Sequence, residues 1–155
     1  MKVRFFHSVA HKLFAEGETL AACAIARGIE TETGIEIHPG AKIGKRFFID
    51  HGNGTTIGET AEIGDNVMLS HGVVISGIGE AKEKRHPTIG NNENIGAYAQ
   101  IWGPVDIGDN VTVGPNSVVE EPVASGLTVK GSPPKAYARD GKEFGEPEEI
   151  SGFRG

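Results

Sequence analysis

The residues of this sequence best suited to acid–base chemistry are three of its six histidines, His51, His71 and His86. A neutral imidazole with one ring nitrogen bonded to a carboxylate can accept a proton on its other nitrogen near neutral pH. Asp50 precedes His51, but side chains alternate along a strand, so we expect these two to point to opposite sides. Glu36 is then the more plausible carboxylate. We interpret His51 as a candidate general base, while for His38 a role at a chain corner fits as well as a catalytic one.

An aliphatic repeat with a period of six must position these histidines. This period fits neither a helix, with 3.6 residues per turn, nor an alternating strand. It fits a short strand followed by a corner, and three such sides close a coil of about eighteen residues. Stacked coils would pair as parallel strands about 4.8 Å apart, with Gly, Asn and Asp at the corners, where positive φ is least costly. The repeating positions are Ile37, Ile43, Ile49, Ile57, Ile63, Leu69, Ile75, Ile89, Ile95, Ile101, Ile107, Val113 and Val119.

Two interruptions of the repeat contain the candidate site residues. The first adds two residues around His51, and the second is an insertion loop over residues 76–88, which includes His86. His51 and His71 are 20 residues apart, which is one coil of eighteen plus the two extra residues. We therefore expect their backbones to stack near one corner. Insertions in a solenoid leave through its faces and commonly carry function.

Residues 1–33, ahead of the repeat, predict a short N-terminal helical cap. Apolar residues recur at helical spacing from Phe5 to Arg27, with a break at Gly17. A solenoid needs its end covered, and this segment is placed to cover the first coil. His7 and His11 lie one helical turn apart in the cap, and we expect both to be solvated.

Length and composition exclude several classes of protein. The 155 residues fit one domain, with the repeat over 34–130 and a C-terminal extension, 131–155, that we expect to end in a mobile tail. The longest apolar run, Leu20–Ala26, is far shorter than a membrane span, and a net charge of −6 argues against nucleic acid as a partner. The single Cys23 excludes an internal disulfide and a multi-cysteine metal site. We expect a cytoplasmic protein with no membrane partner and no metal.

Four sequence blocks, Thr33–Gly44, Phe48–Gly52, Ile57–Ala61 and Arg85–Gly90, closely resemble the serine O-acetyltransferase family of hexapeptide-repeat acyltransferases. The resemblance covers about residues 33–135. It implies an all-β solenoid, a left-handed parallel β-helix, that forms a homotrimer with active sites between subunits and uses acetyl-CoA as donor. The left-handed sense comes from the resemblance alone, because the general preference for right-handed crossovers predicts the opposite.

The resemblance also implies a reaction and a role for each site residue. The acetyl group would pass from acetyl-CoA to the hydroxyl of L-serine, giving O-acetylserine for cysteine biosynthesis. His51 matches the general base and Glu36 the acidic member of its dyad. Arg suits the carboxylate of an amino acid, which it can bind bidentately. The acceptor-binding positions are Asp50, Arg85 and His86, and the CoA-binding positions are Gly77, Gly79, Ala97, Pro115 and Lys135.

Departures from the family pattern bear on assembly and acceptor. The family's long N-terminal helical domain has no counterpart here, so we expect a trimer and not a hexamer. The chain ends in Gly155, not in the isoleucine that docks into a sulfhydrylase, so we do not expect that complex. Where the family usually has Tyr-Gln-Gly, this chain has Ser70-His71-Gly72, which makes His71 a candidate second base.

Three other functions fit parts of the pattern. The first is an O-acetyltransferase for a sugar or another hydroxyl acceptor, with the same fold and donor. A zinc carbonic anhydrase of this solenoid type would need two histidines five residues apart, but Ser76 stands five residues after His71. A non-enzymatic scaffold would leave unexplained why Asp50-His51 and Arg85-His86 flank the two interruptions.

Overall fold

The described part of the chain, residues 2–80 and 83–131 of a computed structural model, consists of two helices followed by a ladder of short strands. Lys135 and nearly all of the expected C-terminal extension lie outside these residues. The helices are α1 (Lys2–Ala15) and α2 (Thr19–Thr33). The strands are β1 (Glu36–Ile37), β2 (Lys42–Ile43), β3 (Phe48–Ile49), β4 (Thr56–Ile57), β5 (Glu62–Ile63), β6 (Met68–Leu69), β7 (Val74–Ser76), β8 (Thr88–Ile89), β9 (Asn94–Ile95), β10 (Gln100–Trp102), β11 (Asp106–Ile107), β12 (Thr112–Val113), β13 (Val118–Val119) and β14 (Thr128–Val129).

The strands form three parallel sheets, which are the three faces of a prism. Face 1 has the order β1-β4-β7-β10-β13, face 2 the order β2-β5-β8-β11, and face 3 the order β3-β6-β9-β12-β14. Neighbouring strands in a face are one coil apart, so Ile37 pairs with Ile57 and Ile57 with Ile75. The predicted parallel β-helix is confirmed. Within the described ranges, no helix is long and apolar enough to cross a membrane.

The core is the column of repeating aliphatic side chains inside the prism. Eleven of the thirteen positions predicted from the repeat are buried, and the other two, Ile43 and Ile49 of the first coil, are partly buried against the core. Burying each such side chain stabilises the fold by roughly 1.5–3 kcal/mol. Because every coil contributes its own aliphatic residues, each coil is held mainly by its neighbours.

The edge between faces 2 and 3 is built from asparagine and aspartate, as the sequence predicted for corners. The Asp65 carboxylate accepts the N–H of Lys45, one coil away, at 2.6 Å, and Asp109 accepts the N–H of Asn91 at 2.6 Å. These bonds satisfy corner backbone groups that the strands cannot reach. The residues with positive φ at this edge are Arg46, Asn66, Asn92 and Asn110.

Helices α1 and α2 pack against each other and cover the first coil. The Arg4 guanidinium donates to the carbonyl of Ile43 at 3.1 Å, and the His11 ring donates to the carbonyl of Pro39 at 2.7 Å. The expectation that His7 is solvated is wrong, because its ring is 6% exposed. Burial, with His11 and Arg4 nearby, lowers the pKa of His7 to about 4. Arg4 and His11 therefore help to dock the cap on the first coil, together with Val3, which packs against the core.

A buried glutamate interrupts the apolar interior of the prism. Glu93 stacks between Val67 and Val111 of the adjacent coils and is 2% exposed. Its Oε1 accepts the Val111 N–H at 3.1 Å, while Oε2 has no partner in the described part of the chain. Burial raises the pKa of Glu93 to about 7, although the bond from Val111 opposes the shift.

This glutamate should make the stability of the protein pH-dependent. Between the usual pKa of 4.5 and the folded value of about 7, the folded state holds the proton more often than the unfolded state. The contribution of Glu93 to stability should therefore fall by up to about 3 kcal/mol as pH rises through this window, whereas the lowered pKa of His7 acts in the opposite direction between about pH 4 and 6.5. Glu93→Gln keeps the acceptor for Val111, so the stability of the wild type minus that of this variant, from urea unfolding at pH 4.5 to 8, should show the fall caused by Glu93 alone.

Glu120→Gln, at an exposed position, is the matched control, and its stability should follow that of the wild type across this pH range. An equal slope in wild type and in the Glu93→Gln variant would contradict this account.

Candidate active site

The turn that follows β3 carries His51 and is shaped by glycines. Gly34 ends α2 in a left-handed conformation (φ 69°), and its carbonyl accepts the N–H of Gly54 at 2.8 Å. Gly52 has φ 63°, and a Cβ there would overlap the side chain of Ile35. The two extra residues are thus held against the end of α2, so His51 projects from the prism.

His51 is accessible and lies beside a carboxylate of its own turn. Its side chain is 82% exposed, and its Nε2 lies 3.7 Å from Oδ1 of Asp50. The expectation that Asp50 and His51 point to opposite sides is wrong. His51 has φ 60°, which breaks the strand alternation on which that expectation rested.

Glu36 is the first residue of β1 and lies at the same edge as His51, but its side chain does not bond to the His51 ring. The Glu36 N–H donates to the carbonyl of Thr55, directly after the His51 turn. Its side chain is exposed and lines a cavity of about 150 Å³ with Cys23 and His38. Among the described residues, its carboxylate makes no hydrogen bond or ion pair with His51. The structure therefore places the two predicted dyad members near one edge without joining them.

The edge between faces 3 and 1, which we call the His51 edge, also carries two predicted CoA-binding residues. A column of corner residues runs along it, bonded from coil to coil: the Tyr98 N–H donates to His71 and the Asn116 N–H to Ala97, at 3.0 and 2.9 Å. The next residues in the column are Asn53 below and Pro115 above. Asn53, and not His51, is thus the register partner of His71, because the inserted residues displace His51 outward.

Tyr98 is a feature of this edge that sequence analysis missed. Its ring meets His71 edge-on, with centroids 4.9 Å apart, and is 56% exposed. It has φ 58°, which is uncommon for a bulky residue. The sequence signal was available, since the other coils place Gly54, Gly72 and Asn116 at this position.

The edge between faces 1 and 2, which we call the Arg85 edge, carries the other predicted site residues. The loop between β7 and β8 begins at Gly77 and ends with Arg85 and His86. A Cβ at Gly77 would have no space, because Arg85 packs against this glycine. Arg85 lies 4.0 Å from the Glu59 carboxylate, and its buried Nε has no hydrogen-bond partner in the described ranges. The predicted Gly79 belongs to the same loop and has φ 104°.

Thr60 and Lys84, which sequence analysis did not select, hold this loop in place. Thr60 Oγ1 accepts the backbone N–H groups of Arg85 and His86, both at 3.1 Å. The Lys84 ammonium donates to the carbonyls of Thr60 and His86 at 2.7 and 2.8 Å, and to that of Pro87 at 3.2 Å. Neither residue breaks a pattern in the sequence. Their role in holding the loop comes from contacts with residues 24 to 26 positions away in the chain.

The predicted site residues therefore fall into two groups on opposite sides of face 1. Asp50, His51, Ala97 and Pro115 lie on the His51 edge, while Gly77, Gly79, Arg85 and His86 lie on the Arg85 edge. A single chain does not bring the two groups together. Across residues 2–80 and 83–131, no cluster of three or more His, Cys, Asp or Glu side chains could hold a metal ion.

Several known proteins are similar to this chain in sequence and in structure. The bacterial transferase hexapeptide family (six repeats) matches residues 86–121. The chain is 50% identical over 140 residues to a serine acetyltransferase of Staphylococcus aureus (strain Mu50 / ATCC 700699), an alignment covering 90% of this chain and 66% of that protein. The chain thus spans just under two thirds of the length of such curated relatives.

Two solved structures superpose closely on this chain. Serine acetyltransferase isoform 3 from Entamoeba histolytica, in complex with cysteine, gives a TM-score of 0.83 at 34% identity, over 97% of this chain and 52% of that one. Neisseria gonorrhoeae serine acetyltransferase, in complex with serine, gives a TM-score of 0.81 at 36% identity, and the match covers 84% of this chain and 54% of that one. The predicted left-handed coil is confirmed by this likeness. The hexapeptide repeat, the prism and these similarities show that the chain belongs to the serine acetyltransferase family of hexapeptide-repeat transferases.

Proposed function

We propose that this protein transfers the acetyl group of acetyl-CoA to the hydroxyl of L-serine, giving O-acetylserine for cysteine biosynthesis. The relatives at about half identity are named serine acetyltransferases, and solved neighbours hold serine or cysteine. The acetyl donor follows from the same family. The cytoplasmic location stays a prediction from the sequence.

The separation of the two edges is the observation that carries this proposal. In a ring of three identical chains the contacts are heterologous, so one surface of each chain meets a different surface of the next. The His51 edge of one chain would then face the Arg85 edge of its neighbour. That arrangement assembles all the predicted groups around one cleft between subunits, and it supports a homotrimer as the active form.

The chemistry of the assembled cleft is direct acyl transfer. His51 removes the proton as the serine oxygen attacks the thioester carbonyl, and a backbone N–H stabilises the oxyanion. When the C–S bond breaks, His51 gives that proton to the departing CoA sulfur. Arg85, whose side chain is partly exposed beside Glu59, suits the serine carboxylate. Asp50 lies 3.7 Å from Nε2 of His51 and could orient the ring, whereas the predicted role of Glu36 would need its side chain to turn toward His51.

The acetyl-CoA arm would run between the same two edges. Ala97 and Pro115 lie along the His51 edge, one and two coils beyond His71, and Gly77 and Gly79 lie on the Arg85 edge. The small side chain of Ala97 and the open space beside Gly79 leave room for a narrow arm close to the backbone. Lys135, outside the described residues, would bind the charged end of CoA.

A sugar or other hydroxyl compound is the second candidate acceptor. The His71–Tyr98 pair favours it, because this pair presents a second imidazole and an exposed aromatic ring on the His51 edge. Aromatic rings offer an apolar surface with specific geometry to a ring-shaped ligand.

The acceptor can be identified by thiol release from acetyl-CoA with serine, homoserine and simple sugars. We expect serine to give the highest kcat/KM, because Arg85 offers a partner for its carboxylate. Release with sugars but not with serine would replace the serine proposal with the second candidate.

His51→Ala should lower kcat with serine by at least about 10²-fold, since a general base typically contributes 10²–10⁴-fold. The KM for acetyl-CoA should stay nearly unchanged. His11→Ala, in the cap helix, is the matched control and should keep wild-type kcat. Turnover like the wild type in the His51→Ala variant would remove His51 from the mechanism.

Mixing two inactive variants tests whether each site spans two chains. When His51→Ala and Arg85→Ala chains are unfolded and refolded together at equal amounts, about a quarter of the sites should contain both intact groups, because the edges come from different chains. Activity should therefore return to about that share of the wild type. Refolding His51→Ala with the double variant should restore none. No recovery in the first mixture would place the site within one chain.

A further inference from the structure

The ring of His86 is held in a slot on the Arg85 edge and is 4% exposed. Its Nδ1 faces Thr60, whose backbone N–H donates to it at 3.2 Å and whose Oγ1 lies 2.9 Å away. Its Nε2 lies against Gly58 and Gly77, where no Cβ could be accommodated beside the ring. Two glycines and one threonine thus fix both the position and the direction of the imidazole.

The hydrogen atoms of this cluster can be assigned from its bonds. Thr60 Oγ1 accepts two backbone N–H groups, those of Arg85 and His86, which occupy both of its lone pairs. Its own hydrogen is then directed at His86 Nδ1, the remaining polar atom within reach. Nδ1 therefore receives hydrogens from the Thr60 hydroxyl and the Thr60 backbone, and a neutral ring must carry its hydrogen on Nε2.

We propose that Thr60 is a positioning residue that locks His86 as the neutral tautomer with hydrogen on Nε2, so that His86 donates a hydrogen bond to an oxygen of the acceptor and does not act as a base. The acceptor-binding part of this proposal rests on the function proposed above. The lock itself is a property of the folded chain.

The surroundings of the ring favour the neutral form that the lock requires. Burial lowers the pKa of His86, and the nearby charges of Arg85 and Lys84 add to this effect, while Glu59 opposes it. The Lys84 ammonium bonds the carbonyls of both Thr60 and His86, so the two residues are tied together through their backbones as well.

The first test reads the tautomer directly, by nitrogen-15 NMR of the full chain with labelled histidine. The His86 signals are identified by their loss in a His86→Gln variant. At neutral pH we expect the pattern of a neutral ring with hydrogen on Nε2. Thr60→Val removes the hydroxyl donor but keeps the backbone N–H that bonds Nδ1, so it should raise the titration midpoint of His86, whereas Thr60→Ser should retain the wild-type midpoint. A wild-type ring with hydrogen on Nδ1, or a charged ring, would overturn the proposal.

The second test measures acceptor binding. Thr60→Val should raise the KM for the acceptor about 3- to 10-fold, the range expected for one weakened hydrogen bond, and leave the KM for acetyl-CoA unchanged. Thr60→Ser should restore the acceptor KM. Thr128→Val, the same change at an exposed strand position, is the control and should have no effect.

The two tests fail separately. A raised His86 midpoint with an unchanged acceptor KM in Thr60→Val would overturn the role of His86 as an acceptor-binding donor. Absence of activity with every hydroxyl acceptor would instead refute the proposed function, and the spectrum of the wild-type chain would still decide the lock.

Discussion

Coil-to-coil stacking is the constraint on which every other feature of this protein depends. Each strand bonds only to the strands one coil before and one coil after it, and the inward aliphatic residues of successive coils stack in the same register. The faces are therefore flat and nearly uniform, and each edge becomes a straight column of corner residues. Chemistry has to be placed at the edges, because the interior is filled and the faces repeat.

The two interruptions of the repeat provide what the regular coils lack. The two extra residues after β3 push His51 out of the corner column, while Asn53 takes its place in register with His71. The longer loop between β7 and β8 lies at the other edge of face 1, where hydrogen bonds of Thr60 and Lys84 hold it in place. A rigid prism thus holds two small groups of polar residues at a fixed distance, which suits a cleft completed by a neighbouring chain.

Polar groups inside the structure show where packing costs stability. Glu93 replaces an aliphatic residue within a valine column and keeps an oxygen without a partner in the described part of the chain. His7 is buried beneath the cap, where its charged form is disfavoured. Both residues have shifted pKa values for the same reason, which is that desolvation penalises a charge more than the available hydrogen bonds compensate for it.

The sequence by itself determined the architecture. The six-residue aliphatic period allows only a short strand and a corner, so it predicted the prism, its core residues and the two interruptions, and the family blocks supplied its handedness. Tertiary structure decided the rest. The direction of His51 relative to Asp50 follows from a positive φ, the burial of His7 from how the cap docks, and the Thr60–His86 contact from pairing across 26 residues. Periodicity fixes which residues face inward, whereas the direction of a polar side chain at a corner depends on local backbone angles and on partners distant in the chain, and these exist only once the coils have stacked.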